Sequence, residues 1–149
     1  QALHALGQNR KSLGRLNEAI DAYTRAAAIE PDDAAIQNSL AVAYVEQGAH
    51  AAAHDVFVRL VEQHPKSVGY RVNLAVALLN LGRFNEALAA CQEAARAAPR
   101  DARVYAEAGS VYETAGNAAK AREAYEKALG LDPENAAIRS RLQELTAGD

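Results

Sequence analysis

At 149 residues the chain is long enough for one ordinary domain and too short for two. Half of its residues are apolar and 23% are charged, with both signs interspersed and a formal net charge of -3, the balance of a soluble, ordered protein. That balance lacks the Lys/Arg excess by which nucleic acid and anionic surfaces are held. The longest apolar runs, such as Leu74 to Leu79, fall far short of the ~20 residues that cross a bilayer. Neither nucleic acid nor direct membrane insertion is expected.

The chain opens at Gln1 without a Met or a basic-then-apolar leader, which reads as a piece of a longer or processed chain. Cytoplasm is the default compartment, with a periplasmic or membrane-tethered parent as the alternative. The lone Cys91 excludes an internal disulfide framework and leaves the compartment open. High Ala and Arg content, without elaborate insertions, suggests a bacterial source.

Along the chain, Pro31, Pro65, Pro99 and Pro133 recur every 34 residues and account for every proline. Gly14, Gly48, Gly82 and Gly116 stand 17 residues before them, and Ala19, Ala53, Ala87 and Ala121 stand 12 before them. Self-similarity at this period marks a solenoid of one repeated supersecondary unit. Four units are expected at about 1–33, 34–67, 68–101 and 102–135, with a capping helix over 136–146. In each unit a first helix carries a core stripe such as Ile36, Leu40, Ala43 and Tyr44. The glycine then ends that helix in the left-handed conformation. A second helix opens at Asn17-Glu18 in the first unit and at Asn85-Glu86 in the third, where Asn is expected to cap free N–H groups. Its buried face reads Ala19, Ile20, Tyr23, Ala26, Ala27, or Ala121, Ala124, Tyr125, Ala128, and the proline prevents continuation.

Small residues at Gly7, Ala41, Ala75 and Gly109 let paired helices approach closely, while Tyr23, Phe57, Cys91 and Tyr125 fill the junction with the next unit. Cys91 under-fills its slot, so the third unit is expected to be the loosest. After Pro133, Ile138, Leu142 and Leu145 form a single apolar stripe opposite Arg139, Arg141, Gln143 and Glu144, the pattern of a solvating cap.

The pattern resembles the tetratricopeptide repeat over essentially the whole chain. It is clearest in Leu40, Ala41, Tyr44, Ala53, Phe57 and Pro65 and in Tyr105, Ala108, Gly109, Tyr112, Ala121, Tyr125 and Pro133, with departures at Arg10, Leu78 and Cys91. The resemblance implies an all-α, right-handed superhelical solenoid whose first helices line a concave binding face. On that projection the groove candidates are His4, Gln8, Asn38, Val42, Val45, Val72, Asn73, Val76, Leu79, Arg103, Glu107 and Ser110, with Glu113 beyond them. The valines and Leu79 would form an apolar patch with no duty in the core, suited to an amphipathic helix or an apolar extended peptide. The competing reading is that they pack between neighbouring first helices. Some members of the family clamp a C-terminal carboxylate with Lys, Asn and Arg. Here Asn73 and Arg103 stand at matching places, but Val42 replaces an amide and Glu107 a cation, which argues against such a clamp.

No catalytic chemistry is expected. His50 and His54 have the i, i+4 spacing of a metal pair, with Asp55 beside them, but lack a convincing third ligand and read as surface histidines. Cys91 reads as core filler, and the acids Asp32, Asp33, Asp132 and Glu134 as helix-start residues. No cofactor or metal is called for. The chain is therefore expected to be a scaffold or adaptor that takes a protein or peptide. The alternatives are a recruiting module of a larger enzyme, or a repeat protein that self-associates.

Overall fold

The computed structural model describes residues 1–147, and among these every element of regular structure is helical. In chain order they are α1 (Ala2–Ser12), α2 (Leu16–Ile29), α3 (Ala34–Gln47), α4 (His50–Gln63), α5 (Val68–Asn80), α6 (Phe84–Ala97), α7 (Ala102–Thr114), α8 (Ala118–Leu131) and α9 (Ala136–Ala147). Successive helices pack as antiparallel neighbours, and α1, α3, α5 and α7 also touch one another in sequence. This is an all-α superhelical solenoid with the first helices of the pairs forming one continuous wall.

Local chemistry sets both kinds of joint. Within each pair the glycine has positive φ, from 72° at Gly82 to 86° at Gly48, a conformation costly for any residue with a Cβ. The residue after it donates its amide five residues back: Arg15 to Arg10, Ala49 to Tyr44, Arg83 to Leu78 and Asn117 to Tyr112, at 2.8–2.9 Å. That is the six-to-one bond of a Schellman stop. Between pairs, a capping side chain lies two residues after each proline. Asp33 accepts the amides of Ala35 and Ile36, Ser67 that of Tyr70, Asp101 that of Arg103 and Asn135 that of Ile138. The proline thus stops one helix and the following cap starts the next.

The starts of the second helices differ from expectation. The caps of α2 and α6 fall two residues early, at Arg15 and Arg83 and without a side-chain bond, so Asn17 and Asn85 lie inside the first turn. Asn17 instead accepts a 2.9 Å hydrogen bond from Gln47 of the next pair. Among the second helices, a side-chain cap is made by Asn117, which stands at the register position of Arg15 and Arg83, two before that of Asn17 and Asn85, and accepts from Lys120.

The core runs along the seam where each pair meets the next. Tyr23, Phe57, Cys91 and Tyr125 are all buried there, each opposite the small residue 16 positions earlier. Cys91 lies beside a hollow of about 280 Å³ bounded also by Leu88, Ala95, Val104, Tyr105, Ala108 and Tyr112.

Candidate functional site

The wall of first helices is knitted by polar pairs between equivalent turns. His4 Nε2 lies 2.9 Å from Ser39 Oγ, whose own hydrogen goes to the Ala35 carbonyl. The imidazole must therefore donate from Nε2. One step on, Asn73 donates to Asn38 Oδ1 at 2.9 Å. Both bonds join residues 35 apart, so the same register is used twice. At the third step that register brings Val72 opposite Glu107, and no side-chain bond continues the series.

Two hollows open along this wall. The first, about 450 Å³, brings together Gln8, Asn38 and Val42 with Lys11, Ser12, Tyr23 and Ser39. The second, about 880 Å³, gathers Val72, Arg103, Glu107 and Ser110 with Glu113, and is closed by residues of α8 and α9. His4 and Asn73 are occupied in the polar pairs. Val45 on α3 and Val76 and Leu79 on α5 are half-buried and line neither hollow.

The apolar members do have packing duties, contrary to the projection. Val42 and Val45 rest on the cluster around Ala41, Phe57 and Leu60, and Val72 and Leu79 on that around Ala75, Leu78 and Cys91. All of them are nonetheless only half-buried. Val76 alone of the set packs against none of the core clusters.

The charges are unevenly matched. Arg103 folds back onto its own helix cap, with Nε and Nη2 at 3.0 and 2.6 Å from Asp101, and this guanidinium holds the Asp101 carboxyl below its usual range. An incoming carboxylate would have to compete with Asp101 for it. Glu113 accepts from Tyr125 Oη and from Arg141 Nε, each at 2.9 Å, and Arg141 also reaches Glu144. Among the described residues Glu107 meets no hydrogen-bond or ion-pair partner, and burial pushes its carboxyl up to about 7.

Arg141 is the residue sequence reasoning missed. It belongs to the cap's polar face, read as solvating, yet it crosses to α7 and forms part of the groove. Its only signal was a basic residue 28 positions from Glu113, a separation that local periodicity does not reach.

Of the histidine pair of α4, His50 Nδ1 is buried without a hydrogen-bond partner among the described residues, whereas His54 is engaged in other bonds. His54 Nδ1 lies 3.0 Å from Asp55 and Nε2 3.1 Å from the Arg83 guanidinium. Since Arg83 can only donate, Nε2 accepts and Nδ1–H points to Asp55, leaving neither nitrogen for a metal. Among the described residues no group of three His, Cys, Asp or Glu side chains is placed to hold one. Likewise, no helix among them is long and apolar enough to cross a membrane.

A solenoid of helix pairs with a lined inner wall defines the class, and comparison defines the family. Models described as TPR repeat and tetratricopeptide repeat match residues 7–48, 45–108 and 102–135. The chain belongs to the tetratricopeptide repeat family, whose proteins are protein-interaction scaffolds. A thermophilic TPR protein of Thermus thermophilus superposes with a TM-score of 0.88 at 28% identity, covering 99% of this chain and 81% of that one. Human DnaJ homolog subfamily C member 7 is 30% identical over 105 residues, 70% of this chain and 21% of the relative. A TPR repeat-containing thioredoxin of Arabidopsis thaliana is 35% identical over 99 residues, 66% of this chain and 14% of the relative. The chain thus spans a minor part of the curated relatives it matches.

Proposed function

We propose that this chain is a scaffold that holds an extended or helical segment of a partner protein along the wall formed by α1, α3, α5 and α7. The observation that carries the reading is the pair of hollows with polar linings on the first helices, together with the half-buried Val45, Val76 and Leu79 of α3 and α5. An apolar anchor flanked by oriented polar groups is the usual composition of a peptide groove. A groove built on packed helices is also preorganised, so binding costs less ordering entropy.

Capture from lysate of the source cell, comparing wild type with Val76→Glu, tests this. Val76 is the suitable position because the charge enters the groove without entering a core cluster. Partners retained by the wild type and lost by the folded variant support groove binding. Equal capture by both moves the site to the outer helices, and capture of the chain's own copies alone favours self-association.

A second reading, a recruiting module within a longer enzyme, draws on the Arabidopsis thaliana relative, a thioredoxin that contains this repeat. The two readings share the same groove and differ in what the groove serves.

A further inference from the structure

Resting on the groove reading above, we infer that the hollow between α7 and α9 takes a cationic side chain, Lys or Arg, of the bound protein segment, with the Glu107 carboxylate as its counter-ion. The argument begins with charge. Five charged residues line the hollow: Arg103, Glu107, Glu113, Asp132 and Arg141. Both cations are already committed, Arg103 to Asp101 and Arg141 to Glu113 and Glu144. An anion would have to compete with these acids for either cation. Glu113 is satisfied by Arg141 and Tyr125, and Asp132 accepts from Asn135 at 3.5 Å. Of these lining acids, Glu107 is left as the carboxylate with no partner among the described residues.

Position adds to charge. The first two steps of the wall close on themselves through the His4–Ser39 and Asn38–Asn73 pairs. At the third step the place of the polar partner is taken by Val72, so nothing on the wall answers Glu107. The hollow of about 880 Å³ in front of it has room for a long side chain. Val72 and Ala106 offer apolar surface to a methylene stem, and Ser110 Oγ lies one turn along as a further acceptor. A half-buried, unpartnered carboxylate is costly to ionise, and an incoming ammonium or guanidinium offsets that cost.

The groups facing Glu107 set the expected pH response. They are Arg103 and Glu113 on α7, the Cys91 thiol from α6, Tyr125 from α8, Asp132 before α9 and Arg141 within it. Arg103 and Arg141 remain charged throughout, and burial holds Cys91 and Tyr125 protonated near neutrality. Between pH 6 and 8, Glu107 is the group that changes, since its carboxyl titrates at about 7.

The test is selection of peptides from a random dodecapeptide display library on the wild-type chain at pH 8, followed by titration of the selected peptides. The expected result is a Lys or Arg shared among them. Replacing it by norleucine should weaken binding about tenfold or more, and Glu107→Gln should do the same. The two losses should not add, and binding to the wild type but not to Glu107→Gln should weaken from pH 8 to pH 6. Selected peptides that share no basic residue, or that bind Glu107→Gln equally well, overturn the inference. If Val76→Glu still abolishes binding of those peptides, the groove reading survives that failure. Recovery of no peptide, or of peptides indifferent to Val76→Glu, overturns both.

Discussion

Gly109 lies directly beneath the ring of Tyr125: a Cβ on Gly109 would stand 2.5 Å from Cε1. The ring cannot swing clear, because its hydroxyl donates to Glu113 at 2.9 Å and meets Ser110 Oγ at 3.3 Å. The Tyr23 ring crowds Gly7 in the same way, whereas Phe57 and Cys91 face Ala41 and Ala75. A tyrosine at this slot therefore goes with glycine opposite it. Gly109→Ala should destabilise the fold by about 1–2 kcal/mol in urea unfolding, the overpacking cost exceeding the helix-propensity gain. Releasing the ring with Tyr125→Phe should recover part of that loss, so strictly additive single and double variants would contradict the account.

The Cys91 thiol is pushed up to about 12 by burial, reinforced by the charge of Glu107. It should resist maleimide at pH 7.5 in the folded chain and react on unfolding. Because Phe57 fits beside Ala41, Cys91→Phe should fit beside Ala75 and fill part of the adjoining hollow, raising the melting temperature by a few degrees, roughly 2–6 °C. Native-state hydrogen exchange should show α5 and α6 opening before α3 and α4. Strongest protection at α5 and α6 would show that the under-filled slot does not loosen the solenoid.

Glu107 carries a stability signature of its own. Its folded carboxyl, raised by burial from 4.5 to about 7, holds a proton more tightly than in the unfolded chain. Stability from this group is present below the unfolded value and is lost as pH rises through about 7, after which it stays level. Glu107→Gln should therefore raise the melting temperature more at pH 8 than at pH 5. An equal change at both would mean that the carboxyl is solvated.

His54 has both ring nitrogens engaged, by Asp55 and Arg83. Millimolar zinc should leave the melting temperature unchanged, and an increase abolished by His50→Ala would reveal a site formed by rearrangement.

The helix joints were legible in the sequence because their chemistry is local. A glycine that must adopt positive φ and a proline that must end a helix act within a turn, and their 34-residue spacing repeats the instruction. The cap of α2 lies two residues before the one expected. Asn17 looks like a cap, but Leu16 is already helical and packs on the cluster of Ala19 and Tyr23, so burial outweighs the cap preference. The groove was legible only as a projection. Val42 and Val76 share one register position, yet Val42 packs against a core cluster and Val76 does not, a difference that the register alone does not encode. The contribution of Arg141 depends on how α9 docks against α7, which no local pattern encodes.

The most direct test of the central claim is hydrogen–deuterium exchange of the intact chain with and without a saturating selected peptide. The account predicts added protection in α1, α3, α5 and α7, greatest from Val72 to Leu79 and around Glu107, with α2, α4 and α6 little changed. Protection confined to α2, α4, α6 and α8 would place the binding face on the outside of the solenoid and contradict it.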